Sequence, residues 1–88
     1  MTMPDPILVW TAERQRVQFE AENLAACGRE KEAGRAWRRH AALASIIEQT
    51  PAISLAGLAA QLELALRYDD ADFEVLLQGV CNIESAAP

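Results

Sequence analysis

Apolar side chains recur at helical spacing along nearly the whole chain, and the pattern is punctuated at Gly28, at Thr50-Pro51 and at Asp69-Asp70. Those breaks decide what the chain can become. Glycine takes the left-handed conformation that closes a helix at its C-terminal end. Proline cannot continue a helix, and it also pushes the residue before it out of the helical region. The spacing therefore predicts helices over about 5–27, 29–49, 55–68 and 70–83. The last two are either separate or one bent helix. With so short a break at Gly28, the first two should fold back as an antiparallel hairpin.

Local signals support each start. Asp5-Pro6 pairs a good N-cap with a residue suited to the first helical position. Ser54 is a second N-cap candidate, and Asp69 with Asp72 resembles an acidic capping arrangement. In the first helix Ile7, Trp10, Val17, Ala21 and Leu24 form one stripe, broken at Arg14. In the second, Ala33, Trp37, His40, Ala44 and Ile47 do the same. Leu55, Leu58, Ala59, Leu62, Ala65 and Leu66 form a wide apolar face on the third, with Leu64 off it. Phe73, Leu76, Leu77 and Val80 continue the pattern. Half the residues are hydrophobic, mostly alanine and leucine, which favours helix over sheet.

The expected fold is all-α: a small three- or four-helix bundle in a single domain, built on an N-terminal antiparallel helical hairpin and capped by the C-terminal pair. Its expected core is Trp10, Val17, Leu24, Trp37, Ile47, Leu58, Leu62, Leu66, Phe73, Leu76 and Val80. Leu8, Phe19, Leu43 and Leu64 exceed what one face per helix can bury, so some are expected at an interface. That surplus, on a chain of 88 residues, points to a homodimer at micromolar concentration.

Function classes narrow by exclusion. The net charge of −5 opposes general affinity for nucleic acid or membrane. No apolar run reaches the roughly 20 residues of a membrane span, and no basic stretch precedes a signal-peptide core, so a cytoplasmic location is expected. Cys27 and Cys81 have neither zinc nor redox spacing and read as buried free thiols, although a bridge between them is conceivable. Asp70, Asp72 and Glu74 begin like a calcium loop, but the sixth and twelfth positions hold Val75 and Cys81 where glycine and glutamate are required. His40, on an apolar stripe, reads as a core residue with one hydrogen bond. No nucleophile with a base and no phosphate loop is present, so no catalytic residue, cofactor or metal is expected.

Two segments carry the functional argument. Ser54 to Leu64 resembles the first helix of a helix-turn-helix. The following recognition helix would carry Asp70, Asp72 and Glu74 and no arginine, which phosphates would repel. The other is the basic run of the second helix. Lys31, Arg35, Arg38 and Arg39 fall near one helical face in an otherwise acidic chain. They are the candidate partner-binding residues, against a plainer reading as a solvated face with Glu–Lys pairs.

Asp-Pro-Ile near the start, the tryptophan in the first helix and Thr-Pro-Ala-Ile-Ser-Leu-Ala-Gly-Leu-Ala-Ala-Gln-Leu, within residues 5–66, resemble motifs of short uncharacterised helical proteins of alphaproteobacteria and their phages. The sequence departs from that pattern at Gln61, where lysine is common. The resemblance implies no activity. The leading expectation is a non-enzymatic protein-binding module, able also to self-associate. The alternatives are a nucleic-acid-binding regulator with a degenerate helix-turn-helix-like segment, and a small acidic phage-type inhibitor of a host nucleic-acid-binding protein.

Overall fold

A computed structural model describes residues 5–68 and 72–86. These residues are all-helical, with no strand among them: α1 (Pro6–Ala26), α2 (Glu30–Gln49), α3 (Leu55–Tyr68) and α4 (Phe73–Ala86). α3 and α4 are thus separate helices. α4 begins and ends about three residues later than its spacing predicts, because the Asp72 carboxylate caps it, accepting from the backbone N–H groups of Glu74 at 3.1 Å and Val75 at 3.3 Å. The expected roles of Asp69 and Asp70 lie outside the described residues.

α1 and α2 pack closely as an antiparallel hairpin. Gly28 makes the turn at φ +76°, and its N–H and that of Arg29 close on the carbonyls of Ala25 and Leu24. That double bond pattern is the Schellman arrangement, in which a residue with a Cβ would be strained. Buried positions repeat every seven residues, Ile7, Arg14 and Ala21 on α1 and Ala33, His40 and Ile47 on α2, and Val17 is buried between Arg14 and Ala21 as expected. Residues equidistant from the turn meet, so isoleucines pack at the open end and small alanines near Gly28.

α3 lies against both hairpin helices, and α4 packs chiefly on α3. The face that α3 turns inward is not its leucine face. Gly57, Gln61 and Leu64 are buried, and Leu64 joins Ile7, Ile47 and Ala52 in the core. Expected core residues Leu62, Leu66, Phe73 and Val80 are exposed instead. The reason is polar. The inward side of α3 must receive the Asp5 carboxylate and the open carbonyls that end α2, and it meets them with a glycine and an amide.

Asp5 is the hub of that junction. Its carboxylate accepts from Ile7 N at 3.0 Å, Ile53 N at 3.2 Å and Ser54 Oγ at 2.7 Å. Ser54 Oγ in turn accepts from Gly57 N at 3.0 Å, as its expected capping role requires. A Cβ on Gly57 would collide with the Asp5 carboxylate. Gln61 Nε2 donates to Ile47 O at 2.8 Å and also to Thr50 O, satisfying carbonyls that α2 leaves open. The Asp-Pro-Ile entry and the Ser-Leu-Ala-Gly…Gln block are therefore two halves of one joint.

Trp37 also departs from its expected place. It stands 39% exposed at the rim, its ring edge-on to His40 at 5.5 Å. α3 ends at Tyr68, whose ring lies 6.3 Å from His40, so α3 leaves the hairpin beyond that level uncovered. Trp37→Ala should accordingly cost less than the roughly 3–5 kcal/mol of a buried tryptophan, and urea unfolding would measure it. Cys27 and Cys81 are free and exposed rather than buried, because Cys27 occupies the C-cap at the turn and Cys81 lies on the outward side of α4.

Candidate partner-binding surface on the second helix

α2 opens with Glu30 and Glu32 in its first turn, where acidic groups complement the helix dipole. The basic side chains follow. Lys31, Arg35 and Arg38 are spaced by four and three residues, so they lie one above another on a single face, and all three are exposed. Among the described residues none of the three forms an ion pair, whereas Arg29 is held by Glu32 at 2.6 Å.

Arg39 belongs to a different arrangement. It donates to Glu13 of α1 at 2.6 Å, and Arg16 also donates to Glu13, at 3.0 Å through Nε. The hydrogen bond from Arg16 is the main reason the Glu13 carboxyl sits below its ordinary pKa; the charges of Arg16 and Arg39 add to it. The four basic residues named from the sequence thus divide. Three form an open ridge, and one ties the two hairpin helices together.

Gly34 lies on the ridge. A shallow groove there is lined by Glu30, Lys31, Gly34, Arg35 and Arg38. A Cβ at Gly34 would meet nothing within 4 Å, so internal packing does not demand glycine here. Glycine inside a helix is costly relative to alanine, so Gly34→Ala should raise stability by about 0.5–1 kcal/mol. The same change should weaken any partner that presses on the bare backbone between Lys31 and Arg38. Unfolding and binding measured on this one variant test both effects.

Arg14 does not break the α1 stripe. It is instead a buried part of it, 5% exposed, donating from Nη1 to His40 Nε2 at 3.2 Å. His40 can accept that bond only as the neutral imidazole protonated at Nδ1. Burial, and then the nearby Arg14 charge, push its pKa below the ordinary value. The single hydrogen bond expected of His40 is present, and its partner was legible: Arg14 and His40 are the polar members of two facing apolar stripes. Among the described residues the Arg14 Nε finds no hydrogen-bond partner.

α4 carries Glu74 and Glu84 and no basic residue. Among the described residues no helix is long and apolar enough to cross a membrane, and no group of three or more histidine, cysteine or acidic side chains is placed to hold a metal ion. No protein-family model matches the chain, and no significant match is found among curated proteins or solved structures.

Proposed function

We propose that this chain is a non-enzymatic protein-binding module whose ridge of Lys31, Arg35 and Arg38 receives an acidic partner. One observation carries the reading: three cations that form no ion pair among the described residues share an exposed face of α2 in a chain of net charge −5. Exposed charges add little to a monomer's own stability, about 0–1 kcal/mol even when paired, so folding gives little reason for the cluster. Arginine offers a rigid fork of donors that matches carboxylates, and Gly34 lets a partner approach the backbone between them. His40 is committed to Arg14 in the interior, which leaves it no free role in proton transfer.

A nucleic-acid partner is the competing reading. Against it stand the net charge and the acidic α4, which would repel phosphates where a recognition helix must sit. A reducing, cytoplasmic setting belongs to the proposal, with both thiols free. Affinity capture on the full chain, with and without nuclease, tests the choice. An acidic protein should be retained after nuclease treatment and released by salt. Retention of nucleic acid, or of a protein that nuclease releases, would favour the regulator.

A further inference from the structure

The leucine face that α3 turns away from the core needs a cover. Leu55, Ala59, Leu62 and Leu66 lie on the side opposite Gly57, Gln61 and Leu64. Leu55 is 72% exposed and Leu66 85%, with Leu62 also open. α4 does not cover them. It stands on the Leu58 flank, where a Cβ on its buried Gly79 would meet Leu58 Cδ1 at 3.6 Å. From there α4 holds out its own exposed row of Phe73, Leu77 and Val80.

The whole molecule exposes too much surface for its mass. A compact monomer of 9.6 kDa has about 5,100 Å² of accessible surface. This chain has 6190 Å². It is a slab, 52 × 31 × 14 Å, with a radius of gyration of 14.9 Å where about 12 Å is usual for its length. The excess is on the order of 1,000 Å², close to the roughly 800 Å² that each partner contributes to a stable interface. Leu55, Leu62 and Leu66 form one open apolar row on α3, the kind of exposed hydrophobic surface that marks an interaction site.

We infer that a second copy of this chain covers the face, with the two α3 helices antiparallel about a twofold axis. The stripe is spaced four, three, four, so it reads the same in both directions. That is the property an isologous interface needs, since each surface must match itself after rotation. The axis passes between Ala60 and Gln61. It sets Leu55 opposite Leu66 of the second copy, and Leu62 opposite the small Ala59. Large against small at the centre lets the helices approach, and a leucine pair closes each end. Glu63 and Arg67 lie off the stripe, 3.8 Å apart, and leave it free of charge. This interface is independent of the α2 ridge, and it would place two ridges on one particle.

The register makes a specific test. Leu55→Glu puts a negative charge at the start of α3, and Leu66→Lys a positive one in its last turn, where the helix dipole tolerates each. Both sites are exposed, so the monomer should keep its fold, which circular dichroism checks. By sedimentation equilibrium the wild type should be a dimer at micromolar concentration. Each single variant should raise the dissociation constant at least about 100-fold, because symmetry places each charge in the interface twice. Leu55→Glu/Leu66→Lys should recover at least about tenfold over either single variant, since each glutamate then faces a lysine of the second copy.

A wild type that stays monomeric at about 100 μM would overturn the inference, as would single variants that remain dimeric. If the singles dissociate and the double variant does not recover, the antiparallel register is wrong. A monomeric wild type that captures a different protein through Leu66 would assign the face to that protein. None of these outcomes bears on the ridge, whose own variants report on it separately.

Discussion

Asp5→Ala should lower the unfolding free energy by about 3 kcal/mol, from loss of an N-cap worth about 1 and of charge-assisted bonds worth about 1.5–3. Three donors lose their acceptor together: Ile7 N, Ile53 N and Ser54 Oγ. For a domain of this length the total stability is only about 4–13 kcal/mol, so the loss is a large fraction of it. Gly57→Ala should be damaging in the wild type, since its Cβ falls on the Asp5 carboxylate. In the Asp5→Ala background the same change should be neutral or stabilising by up to about 1 kcal/mol, because the obstacle is gone and alanine is the better helix former. Chemical denaturation of the four proteins closes the cycle. Additive losses would mean that the carboxylate and Gly57 are not in contact.

His40→Ala should cost about 3 kcal/mol, because the buried Arg14 guanidinium would lose its one side-chain hydrogen bond. Replacing both residues, as Arg14→Met with His40→Leu, should return most of that loss or exceed the wild type, since two apolar side chains avoid desolvating the charge. The pair also sets a pH dependence. His40 has a lowered pKa in the folded state, so the unfolded chain takes up the proton first as pH falls. Stability from this source is complete above the ordinary histidine value of about 6.5 and declines as pH drops below it. The Glu13 carboxyl, also lowered, is held mainly by Arg16 and acts only in the more acidic carboxylate range. Urea unfolding at about pH 7.5 and 5.5 separates the two effects. A wild type equally stable at both values would contradict the assignment, as would a doubly apolar variant that kept the dependence.

What could be read from the sequence was local. Asp5 and Ser54 cap helices as their residue types suggest, Gly28 turns the chain with a positive φ, and Pro51 stands just beyond α2. The hairpin register was also within reach, because Arg14 and His40 lie nearly equidistant from Gly28. The face of α3 was not. Counting leucines assumes that the most apolar side of a helix faces the core. Here the core-facing side had to accept a carboxylate and two carbonyls from other elements, and nothing within residues 55–68 announces those partners. The candidate ridge shows the same division. The spacing of Lys31, Arg35 and Arg38 put them on one face, whereas the removal of Arg39 to Glu13 depends on a contact from α1.

The ridge is either a binding surface or a solvated part of the fold, and charge reversal distinguishes them. Arg35→Glu with Arg38→Glu keeps two good helix formers at exposed positions that hold no ion pair. The measurement is thermal melting of this variant beside capture of the acidic protein that the wild type retains. The double variant should melt within a few degrees of wild type and lose capture, with slower association as salt is lowered. Unchanged capture by the folded fraction would contradict the account: with a near-wild-type melt the ridge is a solvated face, and with an early melt it is structural.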